Sequence, residues 1–357
     1  MAHELWEKDG KWSMAFVGDT PWHSLGQNLT KDSPLEVWAK EAMLDWHVKS
    51  AAPRFQITDF SDLDADVKVR LTDEGNLITF PNRKVLYRSD NAVPLSIVSD
   101  RYKPVQPLEI LEFFRSLIEN NNFQMETAGS LKGGQRIWAL ASTGKGGSIM
   151  GQDRIGQYLL LATSCDGSLS TTAQFTTVRV VCNNTLTCAY MNNTQRIKKG
   201  EEDLENRGYA DIVRIPHSAI FEPDSVKLDL GLADDFFAQF MDDAYNLAKV
   251  KVDRVEAIEY FMDLIGKTDE DGTVDIENVS ELTLRRLFEV YKGGVGQDLQ
   301  STKGTAWGLV NAVTRFCDHE RPSHSQDTRL NSAWLGDGNR MKTKAMTQAV
   351  DKYLKAA

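Results

Sequence analysis

Short runs rich in β-branched and aromatic residues fill the first half of the chain, and apolar positions three and four apart fill the second. The change of period separates strands from helices, because alternate positions share a strand face and every third or fourth position shares a helix face. A first helix is expected from Ser33, with Ser33 as cap, Pro34 in the first turn, and Glu36 completing a Ser-x-x-Glu box. Strand-like runs follow at Trp46–Lys49, Arg54–Ile57, Val67–Leu71 and Lys84–Arg88. Pro107 opens a second helix with an apolar face of Leu108, Leu111, Phe113, Phe114, Leu117 and Ile118, and Asn120-Asn-Asn122 ends it.

Phe123–Leu131, Gln135–Ser142, Tyr158–Ser164 and Leu169–Val181 then read as an antiparallel meander. Lys132-Gly-Gly134 and Asp166-Gly167 supply turns, and Gly144-Lys-Gly-Gly147 starts a longer loop. A short helix is expected from about Asn184 to Met191, and a charged loop or polar helix from Gln195 to Tyr209. Beyond residue 228 the spacing is helical: Phe236 to Ala244, Val255 to Met262, Leu282 to Phe288 capped by Ser280, Trp307 to Phe316, and Met346 to Leu354. Strands first and helices later predict an α+β protein. An N-terminal and central antiparallel β-sheet with packing helices precedes an all-helical C-terminal region. The expected divisions are 1–100, 101–218 and 219–357.

Composition changes this picture little. No apolar run approaches the roughly 18 residues of a membrane span, and the polar start Met1-Ala-His-Glu-Leu is no secretory signal. Cytoplasmic residence is therefore expected. Four cysteines at irregular spacing (Cys165, Cys182, Cys188, Cys317) make no disulfide framework.

Charge is more informative. The formal net charge is −10, yet residues 101–200 carry 11 Lys and Arg against 6 Asp and Glu, whereas residues 201–290 carry 9 against 23. A basic block thus precedes a strongly acidic one.

No catalytic or cofactor motif survives inspection. Gly144-Lys-Gly-Gly147 lacks both the upstream Gly and the following Ser or Thr of a phosphate loop. Gly293-Gly-Val-Gly296 follows no strand, so it is no dinucleotide fingerprint. Cys182 and Cys188 lack zinc spacing, and Asp318, His319 and His324 read as a solvated helix end. No metal and no cofactor are expected. A hydrolase built from Cys165, Asp166 and His217 is conceivable, but a carboxylate beside a thiol raises its pKa, so a structural turn is the stronger reading. Trp22-His23-Ser24 reads as a packed loop.

The segment from Gln135 to Lys199 offers a binding surface instead. Arg136, Arg179, Arg196, Lys198 and Lys199 would neutralise phosphates, and Tyr158 and Phe175 would stack on unpaired bases. A sheet with core-facing rings and an ordinary solvated cationic face would show the same pattern.

Several stretches, in order, resemble one family. They are Pro21–Gly26, Val98-Ser-Asp-Arg-Tyr-Lys-Pro-Val-Gln106, Glu126–Leu131, Cys165-Asp-Gly-Ser168, Val178-Arg-Val-Val-Cys-Asn-Asn-Thr-Leu186, Ile215-Pro-His217, Trp307–Asp318 and Lys342–Ala345. Together they resemble the phage- and plasmid-borne proteins of the domain of unknown function 932 family, which brings a mobile-element setting and no established activity. Relatives usually carry His at the position of Cys165, which is not how a nucleophile behaves. The meander, Asp-Gly hairpin and following helix are also similar in outline to phage single-strand annealing proteins of the RecT and Red beta type.

The resulting expectation is a non-enzymatic, oligomeric, single-stranded DNA-binding or annealing protein of recombination or replication. The alternative is a protein-interaction or host-defence-modulating factor that meets its partner through the acidic residues 201–290.

Overall fold

The computed structural model describes residues 5–18, 25–59, 61–62, 64–66, 77–179, 184–186, 212–230, 233–268, 274–275, 279–322, 332–334 and 336–355. It shows the expected α+β architecture, with sheets first and a helical region last.

The elements in chain order begin with β1 (Glu7–Lys8), β2 (Lys11–Trp12), β3 (Met14–Val17), β4 (Gln27–Leu29) and α1 (Leu35–Glu41). Next come β5 (Val48–Ala51), β6 (Arg54–Gln56), β7 (Leu77–Thr79), β8 (Arg83–Arg88), β9 (Pro94–Ser99) and α2 (Pro107–Asn121). The meander is β10 (Gln124–Leu131), β11 (Arg136–Ile149), β12 (Asp153–Ser164) and β13 (Thr171–Arg179), followed by β14 (Asn184–Leu186) and β15 (Ile212–Ile215).

The helices α3 (Pro223–Asp229), α4 (Ala233–Lys249) and α5 (Arg254–Ile265) follow. After the small ribbon β16 (Lys267–Thr268) and β17 (Val274–Asp275) come α6 (Glu281–Gly293), α7 (Ala306–Arg315) and α8 (Asp337–Val350). A π-helical turn, Phe316–Glu320, continues α7, and another, Asp351–Lys355, continues α8. Among the described residues no helix is long and apolar enough to cross a membrane.

The main sheet runs β14-β13-β12-β11-β10-β3-β4, with β15 also pairing β13. It is antiparallel except for β3 with β4. Alternation buries both faces, as two-sided coverage requires. On one face Ala139, Ala141, Leu159, Leu161, Ala173 and Phe175 pack with Trp38 of α1 and with Phe113 and Phe114 of α2. On the other, Trp138, Leu140, Leu160 and Ala162 pack with Leu5, Met14 and Phe16.

The distal end of the β11–β12 hairpin reaches into the helical region. There Ile149 and Ile155 join a core of Phe240, Tyr260, Phe261 and Trp307. Asp153, fully buried, anchors the junction: its Oδ2 accepts from Ser301 Oγ at 2.9 Å and from Trp307 Nε1 at 3.0 Å.

Local chemistry explains several boundaries. In α2, Gln106 N donates to Glu109 Oε2 (2.7 Å) and Asn122 closes the helix in the left-handed region at φ 59. Ser280 caps α6 as expected, its hydroxyl accepting from Thr283 N at 3.3 Å. The α1 cap differs by one residue. Pro34 holds the cap position without a side-chain bond, and the Ser33 hydroxyl pairs with Thr30 Oγ1 instead.

Gly144–Gly147 is strand rather than loop, and β11 passes through it with a bulge between Ser142 and Gly146. Gly147 lies against the end of the flexible Met241 side chain on α4, where a Cβ would come within 2.5 Å of Met241 Cε and displace it. The actual reversal lies at Met150 and Gly151, both at positive φ. Asn184–Leu186, expected to begin a helix, pairs as a strand with β13. Val67–Leu71 and 195–209 both fall wholly outside the described residues.

Beside the main sheet, β5, β8 and β9 form a three-stranded sheet. It carries Arg88, whose guanidinium lies between the rings of Trp6 (4.6 Å) and Trp46 (4.3 Å). Arg88 Nε and Nη2 donate to the two oxygens of Asp90, at 3.0 and 2.8 Å, and Nη1 donates to Gly133 O at 3.0 Å. Gly134, at φ +107, is held under Trp46, where a Cβ would sit 2.7 Å from the ring. The β10–β11 turn is thereby fixed to the smaller sheet.

Candidate functional site

Of the residues expected to hold DNA, Arg136 and Tyr158 share a face of the main sheet. Arg136 opens β11, half-buried, with Nε and Nη2 donating to Ser168 Oγ at 3.2 and 2.9 Å. Tyr158 lies six residues further along the paired strand, about 20 Å away at roughly 3.3 Å per residue. Its ring is half-buried against the Trp138 side of the sheet, and burial, with Glu126 adding, pushes its phenol up to about 12.

Phe175 is on the opposite face, 8% exposed in the core with Leu159 and Leu161. A sealed ring has no free face for a base, so the stacking role expected of Phe175 is withdrawn. Arg179 closes β13 opposite Ile155, and its side chain lies outside the description. Arg196, Lys198 and Lys199 also lie outside the described residues.

The end of the sheet where Arg136 stands is assembled from distant segments. The β12–β13 hairpin turns at Asp166 and Gly167, the latter at φ 75, as the Asp-Gly pair anticipates. Three contacts tie this hairpin to β9, to the loop before α2 and to the β10–β11 turn. Ser96 Oγ donates to Cys165 O, and Tyr102 OH donates to Ser164 O, each at 2.5 Å. Cys165 N donates to Gln135 O at 2.7 Å.

The Tyr102 ring stacks on His217, with centroids 4.3 Å apart. His217 Nε2 meets Leu169 O at 2.8 Å, and Lys103 N donates to His217 O at 2.6 Å. Three stretches that carry the family resemblance (Val98–Gln106, Cys165–Ser168 and Ile215–His217) therefore meet here, a signal present in the sequence as motifs without a location.

Four cations unforeseen as ligands surround this end. Arg101 and Lys103 flank Tyr102, Lys132 lies in the β10–β11 turn, and Arg214 lies on β15 opposite Thr172. All four are exposed, and none is in an ion pair among the described residues. The hairpin carboxylate is occupied locally. Burial opposes its charge, but bonds from the Ser168 hydroxyl and amide, with Arg136 nearby, hold Asp166 below the usual carboxylate range.

Between the hairpin, β13, β15 and α8 lies a cavity of about 200 Å³, lined by Ser168, Ser170, Thr172, Gln174, Arg214 and Asn339 together with Leu169. One turn along α8 from Asn339, the buried Lys342 donates from Nζ to Asp318 Oδ1 at 2.9 Å, fixing α8 to the π-helical turn after α7. Asp318, read from sequence as part of a solvated terminus, is thus a buried ion-pair partner.

The arrangement does not suit nucleophilic catalysis. Cys165 is buried, and burial, with Asp166 beside it, pushes its thiol up to about 12. The Nε2 of His217 is spent on Leu169 O. Among the described residues no group of three His, Cys, Asp or Glu side chains could hold a metal. What remains is a set of exposed cations, without ion-pair partners among the described residues, at the end of the sheet that also holds a polar cavity.

The chain belongs to the family described as Domain of unknown function (DUF932), which matches residues 94–199 and 204–334. No curated protein and no solved structure shows significant similarity to it.

Proposed function

We propose that this protein binds single-stranded DNA without chemical turnover and serves recombination or replication, annealing strands as an oligomer in a phage or plasmid setting. The observation that carries the reading is the basic end of the main sheet. Arg101, Lys103, Lys132, Arg136 and Arg214, from four segments of the chain, gather around the β12–β13 hairpin, and the four exposed ones lack carboxylate partners among the described residues. Unpaired cations around one edge favour a polyanion, since each phosphate neutralised releases a counterion. The phosphate term leads, so the expected binding is tolerant of sequence. The annealing role and the oligomer draw on the meander, hairpin and helix arrangement alone.

A salt series with fluorescent oligo-dT tests the proposal. Five contacts predict a slope of log K against log salt of about −3.5 for a single strand. Joint replacement Arg101→Glu and Lys132→Glu should flatten that slope and weaken binding at least tenfold at low salt. Absence of binding near 50 mM salt removes the reading.

A further inference from the structure

We infer that the cavity beside Arg214 is a seat for a phosphate monoester, the terminal phosphate of a bound strand; this rests on the single-strand reading above. Four elements wall it: the hairpin with Ser168 and Ser170, β13 with Thr172 and Gln174, β15 with Arg214, and the first turn of α8 with Asn339. Thr172 and Gln174 are each 3% exposed and Asn339 is 8% exposed, so the inner wall is a fixed set of polar side chains. Apart from Leu169 the lining is hydroxyl, amide and guanidinium, with no carboxylate among the described residues.

Arg214 is exposed and, among the described residues, has no hydrogen-bond or ion-pair partner for its guanidinium. Its planar fork matches two oxygens of one phosphate, a geometry that an ammonium group lacks. Arg136 adds a second positive charge at the rim. It donates to Ser168 Oγ, and that hydroxyl donates to Asp166 Oδ1, so the nearby carboxylate is engaged by hydrogen bonds within the hairpin.

Size selects the chemistry. At about 200 Å³ the cavity is smaller than the roughly 300 to 1,000 Å³ of sites for drug-sized ligands. It has room for a phosphate and an adjoining sugar. Walls on four sides suit a group that ends the chain better than an internal diester, whose backbone must enter and leave.

The test measures the full-length protein against three labelled oligo-dT strands that carry a 5′-phosphate, a 3′-phosphate or hydroxyls at both ends. One phosphorylated end should bind at least fivefold more tightly than the hydroxyl strand, and which end does so identifies the source. In Arg214→Ala that ratio should fall to about one, whatever the variant does to the hydroxyl strand. Equal binding of all three strands by the unmodified protein, or a ratio preserved in Arg214→Ala, overturns the inference while leaving strand binding intact.

If no strand binds, the single-strand reading fails and a second measurement decides the seat. Glycerol phosphate should then raise the thermal midpoint above a chloride control of equal ionic strength, and Arg214→Ala should abolish the rise. No rise overturns the seat as well.

Discussion

Replacing Arg88 removes the guanidinium that joins the smaller sheet to the β10–β11 turn, and the structure sets the size of the effect. The side chain is 1% exposed between two indoles, and each desolvated stacking contact contributes about 1 kcal/mol. The charged hydrogen bond to Gly133 O adds roughly 1.5 to 3 kcal/mol. The pair with Asp90, whose side chain is 34% exposed, is screened by water and adds less than about 1 kcal/mol. Arg88→Ala should therefore cost about 4 kcal/mol, allowing for incomplete additivity. Arg88→Lys keeps the charge but loses the fork and the planar stack, and should cost about half as much.

Urea unfolding followed by far-ultraviolet circular dichroism and tryptophan fluorescence gives both values from midpoint and slope. Amide exchange at Gly134 and Gln135 should also quicken in Arg88→Ala, because the turn loses its tie to Arg88. A cost below about 1 kcal/mol for Arg88→Ala, or equality of Arg88→Lys with the parent, would refute the reasoning.

Other expected outcomes follow from single contacts. Phe175→Leu should lower the urea midpoint while leaving oligonucleotide affinity unchanged; a selective loss of affinity would return the ring to the binding surface. Asp153→Ala strands the Ser301 hydroxyl and the Trp307 indole, each at about 1 to 3 kcal/mol, so a loss of roughly 2 to 5 kcal/mol is expected in the same unfolding assay. Cys165 and Cys317, both pushed up to about 12 by burial first, should resist a thiol reagent at pH 8 in the native protein and react only after unfolding, read by mass-mapped labelling.

The Asp243 carboxyl is pushed up to about 6 by burial, against an opposing pull from Lys355. Its Oδ1 accepts from Gln239 Nε2, and its Oδ2 has no hydrogen-bond partner. A raised carboxyl gives stability that is full below its unfolded value near 3.8 and lost as pH rises through about 6. Asp243→Asn should accordingly raise the urea midpoint at pH 8 and leave it unchanged at pH 3.5. Equal effects at both values would contradict the burial argument.

The sequence exposed what is encoded locally. The caps of α2 and α6, the Asp166-Gly167 turn and the strand period of the meander depend on neighbours a few residues apart, and each is where local chemistry placed it. Glycine misled at Gly144–Gly147. Three glycines in four positions resemble a loop, yet the segment continues β11 through a bulge and pairs with β12.

The strands β3 and β4 escaped notice because their pairing with β10 and with one another gives no local signature. The site escaped for the same reason. Arg101, Lys132 and Arg214 gain meaning only when Tyr102 reaches Ser164 and β15 pairs with β13, and spacing in the chain does not encode those registers. Phe175 shows the reverse error. An aromatic beside arginines suggested a stacking surface, whereas a two-sided sheet sends alternate residues of that strand inward.

The position of β3 bears on how the chain can be handled and how it acquires its structure. This early strand finds its antiparallel neighbour more than a hundred residues downstream, at Ala128 and Gly129, so during synthesis only β4 is at hand to pair with it until β10 has emerged. The sheet edge thus closes late, and a shortened form beginning after Gly18 would leave the amides and carbonyls of β10 open to another molecule. Such a form should self-associate through that bare border, and strand exchange between molecules through the same border is a hazard whenever the leading residues are removed or displaced.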